Sequence, residues 1–124
     1  MSAALERLRA LALALPDATE KLAWGEPTFR VGERLFAMVS TAEGRLSVWV
    51  KAPEGAQEML IEAAPERFFR PPYVGHKGWV GLRLDAPGGP DWEEVAFNLA
   101  RSHGLVAAKR TSARRRPARA AEAD

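Results

Sequence analysis

One hundred and twenty-four residues make one ordinary domain, and 47% apolar with 27% charged residues exclude a disordered, fibrous or membrane protein. A chain of this length buries enough surface for a core without disulfide or metal staples, and the absence of cysteine removes disulfides, thiol catalysis, zinc fingers and iron–sulfur ligation together. The net charge of +2 divides unevenly: residues 109–124 hold six basic side chains and two acids, a net of +4, so the preceding body is slightly acidic.

In chain order, Leu5, Leu8, Leu11 and Leu15 recur every three or four residues between alanines, which predicts an amphipathic helix from Ala3 to Leu15 with Ser2 as its cap. Pro16 stops it, and residues 17–27 are expected to form a loop containing Trp24, Gly25 and Pro27. The run from Leu11 to Leu15 is too short to span a bilayer, and no basic start or cleavage signal accompanies it. A cytoplasmic protein with no membrane contact is therefore expected.

The period then changes to two. Gly32-Glu33 suits a two-residue type II′ turn with Val31 opposite Arg34, and Ala42-Glu43-Gly44 suits a three-residue loop with Thr41 opposite Arg45. Three antiparallel strands follow, Thr28–Val31, Arg34–Thr41 and Arg45–Lys51. Counting from the turns pairs Phe36 with Val50, Met38 with Val48 and Ser40 with Leu46, and places Phe29 beside Phe36 on the core side. The opposite face then carries Arg30, Leu35, Ala37, Val39, Arg45, Ser47, Trp49 and Lys51, since a register assigns every side chain to one face or the other.

Ala52-Pro53-Glu54 opens a second helix with Met59, Leu60 and Ala63 on its apolar side, closed by Pro65. Phe68-Phe69-Arg70 reads as a short strand that Pro71-Pro72 confines to an edge. The loop Tyr73–Gly78 leads to the strand Trp79–Asp85, in which Val80, Leu82 and Leu84 face inward. Asp91 with Glu94 is a capping box for a helix from Trp92 to about Ser102, with Val95, Phe97 and Leu99 inward. Gly104 is placed for its C-cap and residues 105–110 for a final turn. The basic tail, residues 111–124, lacks periodicity and is expected to be disordered. Helices segregated from strands predict an α+β two-layer sandwich: helices on one face of an antiparallel sheet of about five strands.

No catalytic or metal-ligating constellation stands out. His76 and His103 have no second ligand at coordination spacing, and Gly88-Gly89 lacks the lysine and hydroxyl of a phosphate loop. No cofactor is implied. The outer sheet face offers instead Trp49 and Lys51 on one strand and Trp79 and Arg83 on another, with Arg30 beside them and Tyr73 and Lys77 on the adjoining loop. Cations interleaved with flat aromatics suit phosphate contact and base stacking.

Three segments carry a family resemblance: Trp24-Gly25-Glu26-Pro27-Thr28-Phe29-Arg30-Val31-Gly32 leading to Leu35-Phe36-Ala37; Arg70-Pro71-Pro72-Tyr73-Val74-Gly75-His76-Lys77-Gly78-Trp79-Val80; and Leu105-Val106-Ala107-Ala108-Lys109. Together, over residues 3–110, they resemble the MmcQ/YjbR family. The resemblance implies a frataxin-like (CyaY-like) sandwich and a DNA-binding role, with Tyr73, Lys77 and Trp79 as a shared cluster near Trp24 and Arg30. It brings no catalytic residues. The combined expectation is a non-enzymatic protein that contacts DNA through the open sheet face and its adjoining loop. The alternative is a protein or small-molecule interaction module, whose same face docks a partner or is closed by homodimerisation, with no nucleic-acid role.

Overall fold

The computed structural model describes the backbone of residues 3–122 and the side chains of residues 3–108. The tail for which disorder is expected lies outside the described side chains. The fold is α+β: helices α1 (Ala3–Leu13), α2 (Ala56–Ala63) and α3 (Trp92–Glu122) accompany one antiparallel sheet of β1 (Ala18–Ala23), β2 (Glu26–Val31), β3 (Arg34–Ser40), β4 (Ser47–Val50), β5 (Phe68–Phe69) and β6 (Val80–Arg83). Its spatial order is β1-β2-β3-β4-β6-β5. Among the described residues no helix is long and apolar enough to cross a membrane.

Six strands stand where about five are expected, because the segment after Pro16 is an edge strand and not a loop. Ala18–Ala23 has four exposed residues in six, so it lacks the alternation that announces a half-buried strand. It pairs with β2 from Ala18↔Val31 to Ala23↔Glu26. The hairpin closes at Trp24 (φ 54) and Gly25 (φ 78), both left-handed, which makes the two-residue turn type I′. Gly32 has φ 64 with Val31 opposite Arg34, as the type II′ reading expects.

The largest correction concerns β3. Its pairing with β2 shifts between Phe29 and Arg30, so that Phe29 opposes Ala37 while Arg30 opposes Leu35. Phe36 is the inserted residue of a β-bulge. Beyond it the alternation is reset: Ala37 opposes Val50, Met38 Trp49, Val39 Val48 and Ser40 Ser47. The connection from Ser40 to its partner Ser47 is accordingly six residues long, one more than the expected pairing of Ser40 with Leu46 leaves, and both Glu43 (φ 59) and Gly44 (φ 72) are left-handed within it. Ala37 and Val39 therefore join the core, and Met38 and Ser40 move to the open face, since a shift of one residue flips a strand.

The core lies between the helices and the other sheet face. Leu8 and Ala12 of α1 and Val95, Leu99 and Val106 of α3 meet Phe29, Val31, Phe36, Val48, Val50 and Leu82, all essentially inaccessible. Truncating either phenylalanine to alanine in such a setting costs about 3–5 kcal/mol. Val80, Leu82 and Leu84 face inward as expected. Phe97 does not: it lies two residues from both Val95 and Leu99, on the far side of a 3.6-residue helix, and is 60% exposed beneath the Arg101 guanidinium. On α2 Gln57 is buried and Leu60 and Ile61 are half-buried, with Ala64 buried just past its end, while Met59 and Ala63 point out. Gly104 does not cap α3, which runs through it.

Two buried polar side chains tie α3 to the rest. Ser102 bonds to the backbone at Phe36 and Lys51. His103 donates from Nε2 to the Pro16 carbonyl at 2.7 Å and sets its ring edge-on to Phe36.

Candidate functional site: an aromatic cleft on the open sheet face

The sheet face turned away from the helices is covered unevenly. The pairings place Thr28 and Arg30 of β2, Leu35, Met38 and Ser40 of β3, Ser47 and Trp49 of β4, Gly81 and Arg83 of β6 and Phe69 of β5 on this side. Its middle is a cleft of about 530 Å³, within the size range of small-molecule sites. The inner wall is Leu35, Met38, Trp49 and Trp79, the rim is Trp24, Tyr73 and Val74, and the polar groups are Glu26, Thr28 and Ser40. Among the described residues lining it there is one carboxylate and neither lysine nor arginine.

Burial differs sharply among the four aromatic rings. Trp79 is 6% exposed, whereas Trp24 is 78% and Tyr73 87% exposed. Trp49 is half-buried and donates its indole N–H to Ser47 Oγ at 3.2 Å, which fixes the ring along the sheet. Trp24 and Tyr73 also share a backbone peculiarity, with φ of 54 and 68, a region that bulky side chains rarely adopt. Each such residue costs on the order of 1–3 kcal/mol and is characteristic of ligand clamps.

The polar groups are mostly engaged. Thr28 Oγ1 donates to the Lys21 carbonyl at 2.6 Å, and Ser40 Oγ accepts from the Ala42 N–H at 3.1 Å. Glu26 Oε2 accepts the Thr41 hydroxyl at 2.6 Å.

The residues singled out in the sequence separate into three places. Trp49, Tyr73 and Trp79 converge on the cleft. Arg30 and Arg83 are on the same face but flank it. Arg30 reaches Thr28 Oγ1 and the Glu33 carbonyl, both at 3.3 Å, and Arg83 lies over the Phe69 ring at 4.4 Å. That ring in turn covers Gly81, where a Cβ would come within 2.3 Å of it. Lys77 is elsewhere: with Arg70, His76, Glu54 and Glu58 it lines a second, polar pocket of about 540 Å³ over the buried Gln57. Lys51 lines neither pocket and gives its backbone N–H to Ser102. Arg45, at the border, is paired with Asp85 at 2.9 and 3.0 Å, and this pair holds the Asp85 carboxyl below the usual carboxylate range.

The reading of the residues alone missed Glu26, Leu35, Met38 and Val74 as cleft residues. The Trp24-Gly25 pair reads from the sequence only as part of a loop over residues 17–27. The displacement of Met38 to the open face depends on the bulge, for which no residue of the segment is a signal.

The two separate segments Trp24–Gly32 and Arg70–Val80 thus meet at one cleft, through Trp24 on one side and Tyr73 and Trp79 on the other. No curated protein matches the chain. A solved structure with the same fold is that of Deinococcus radiodurans protein DR2400, described as a DUF419 domain, at a TM-score of 0.69 and 23% identity over 82% of this chain and 77% of that one. The model of the YjbR family matches residues 13–105, and the chain belongs to that family.

Proposed function

We propose that this chain is a binding module, not an enzyme, whose ligand is a small molecule with an apolar or planar portion seated in the cleft of the open sheet face. One observation carries the reading: Trp24 and Tyr73, the two most exposed aromatic residues among those described, are both held with positive φ at the mouth of the same aromatic-lined cleft. Exposed apolar surface of this kind marks interaction sites, and the lining supplies stacking and burial. Its few polar groups suit orientation of a bound molecule.

The test is chemical-shift mapping of the full chain with 2-naphthol as a neutral planar probe. The expected result is saturable shifts confined to the strands and loops around Trp49 and Tyr73, lost in Met38→Glu. Shifts scattered over the surface, or none at millimolar probe, overturn the reading.

DNA binding is the second reading, favoured by the placement of Arg30 and Arg83 on the same face as the aromatics. Phosphates would lie along the flanks and a base would enter the cleft. A mobility shift with single- and double-stranded DNA at low salt that is weakened by Arg30→Ala and Arg83→Ala would establish it. No retardation at micromolar protein would remove it.

A further inference from the structure

We infer that the group the cleft is built to hold is an alkylated ammonium, a quaternary or tertiary amine head of a small organic cation. This deepens the binding-module reading and rests on it. The argument is the cleft's charge and hydrogen-bonding inventory. Four rings, Trp24, Trp49, Tyr73 and Trp79, surround a space whose lining contains one formal charge, the carboxylate of Glu26. Ring faces carry negative potential, and aromatic cages around a cation are a recurrent way of binding quaternary ammonium groups.

Competing ligand classes fit less well. An anion would meet Glu26 and no cation in the lining. A primary ammonium has three N–H donors that need acceptors; the Glu26 carboxylate can take one of them beside the Thr41 hydroxyl, but the rest of the lining is mainly ring and aliphatic surface, with the Thr28 and Ser40 hydroxyls already bonded to Lys21 and Ala42. An alkylated ammonium needs few or no acceptors: its charge is spread over methyl groups that seek apolar contact. A wholly neutral ligand would draw nothing from the one carboxylate of the lining. The protein's own cation–ring contacts illustrate the pairing elsewhere, at Arg7 over Trp92 and Arg83 over Phe69. At about 530 Å³ the cleft also leaves room for a chain or ring beyond the ammonium head.

The experiment titrates the full chain with choline and, separately, with 3,3-dimethylbutan-1-ol, its neutral isostere of nearly the same shape, following tryptophan fluorescence and amide shifts, with 2-naphthol as a third probe. Choline is expected to bind in the cleft about tenfold more tightly than the isostere. Glu26→Gln, which preserves an acceptor for Thr41, is expected to weaken choline several-fold and leave the isostere unchanged. Trp24→Leu and Tyr73→Leu, at exposed positions, are expected to weaken choline without unfolding the domain. Equal or tighter binding of the isostere, or 2-naphthol binding without choline binding, overturns the ammonium inference and leaves the binding-module reading intact. Absence of binding by all three probes overturns both. Choline affinity unchanged in Glu26→Gln overturns the role of the carboxylate.

Discussion

Ser102 on α3 donates its hydroxyl hydrogen to the Phe36 carbonyl at 2.6 Å while its oxygen accepts the Lys51 N–H at 2.9 Å, and the residue has no exposed surface. A helix side chain thus bonds the backbone at the inserted residue of β3 and just past the end of β4. Ser102→Ala would remove both bonds and take the hydroxyl donor from the buried Phe36 carbonyl, at a cost of about 1–3 kcal/mol. Urea unfolding should show a lower midpoint with an unchanged slope. A shift under about 0.5 kcal/mol would mean that this bond is not needed to close the bulge.

Trp24 occupies the first position of a type I′ turn, where asparagine before glycine is strongly preferred. Trp24→Asn should therefore raise stability, by on the order of 1 kcal/mol from relief of the left-handed strain, and at the same time weaken ligands of the cleft. The two effects are separable by measuring thermal midpoint and 2-naphthol affinity on the same variant. A destabilised Trp24→Asn protein would show that the indole is needed for folding.

Gly81 is small because the Phe69 ring occupies its Cβ position. Gly81→Ala should cost about 1–2 kcal/mol by overpacking, and less when Phe69 is replaced by leucine. Double-mutant analysis should give a coupling of at least about 0.5 kcal/mol. Additive effects would mean that the ring moves aside freely.

The Arg45–Asp85 pair predicts a small acid-limb effect. Arg45 donates two hydrogen bonds to the Asp85 carboxylate, which lowers its pKa in the folded state. A depressed carboxylate stabilises the fold above its unfolded pKa, and that contribution is lost as pH falls through the lower folded value, so the window lies below about pH 4. Thermal midpoints measured from pH 6 to pH 2.5 should fall further for the wild type than for Asp85→Asn, with the curves converging at the acid end. Both partners are substantially exposed, so added salt should shrink the difference. Parallel curves would show that the pair makes no net contribution.

The three helices, both glycine turns and four of the six strands could be read from period and punctuation, because Leu8, Val95, Leu99, Val80 and Leu82 repeat at the spacing of their elements and Gly32 and Gly44 mark bends. The short Phe68-Phe69 strand was also visible, through the prolines that end it. The β1 edge was not, since Thr19, Glu20, Lys21 and Leu22 are exposed and an edge strand half-buried only at its end residues Ala18 and Ala23 leaves no alternation. The α3 boundary failed at Gly104 because glycine is permitted, at about 1 kcal/mol, inside a helix held by tertiary packing, and His103 and Val106 on either side of it are buried. At the site, turn-counting gathered Trp49, Trp79 and Arg83 correctly on one face but could not tell that Lys77 would turn into the polar pocket, because loop residues carry no face assignment. Met38 was misassigned for a different reason: an inserted residue is invisible to counting.

That inserted residue has a consequence for shape. A bulge increases local twist and bends its strand, and Leu35 and Met38, the open-face residues on either side of Phe36, both line the cleft. The cleft thus lies beside the bulge of β3, and the one-residue excess that displaces Met38 from the core also sets its side chain in the cleft wall. Removing Phe36 from the chain would restore an unbroken register between β2 and β3, as a bulge is one extra residue on one strand.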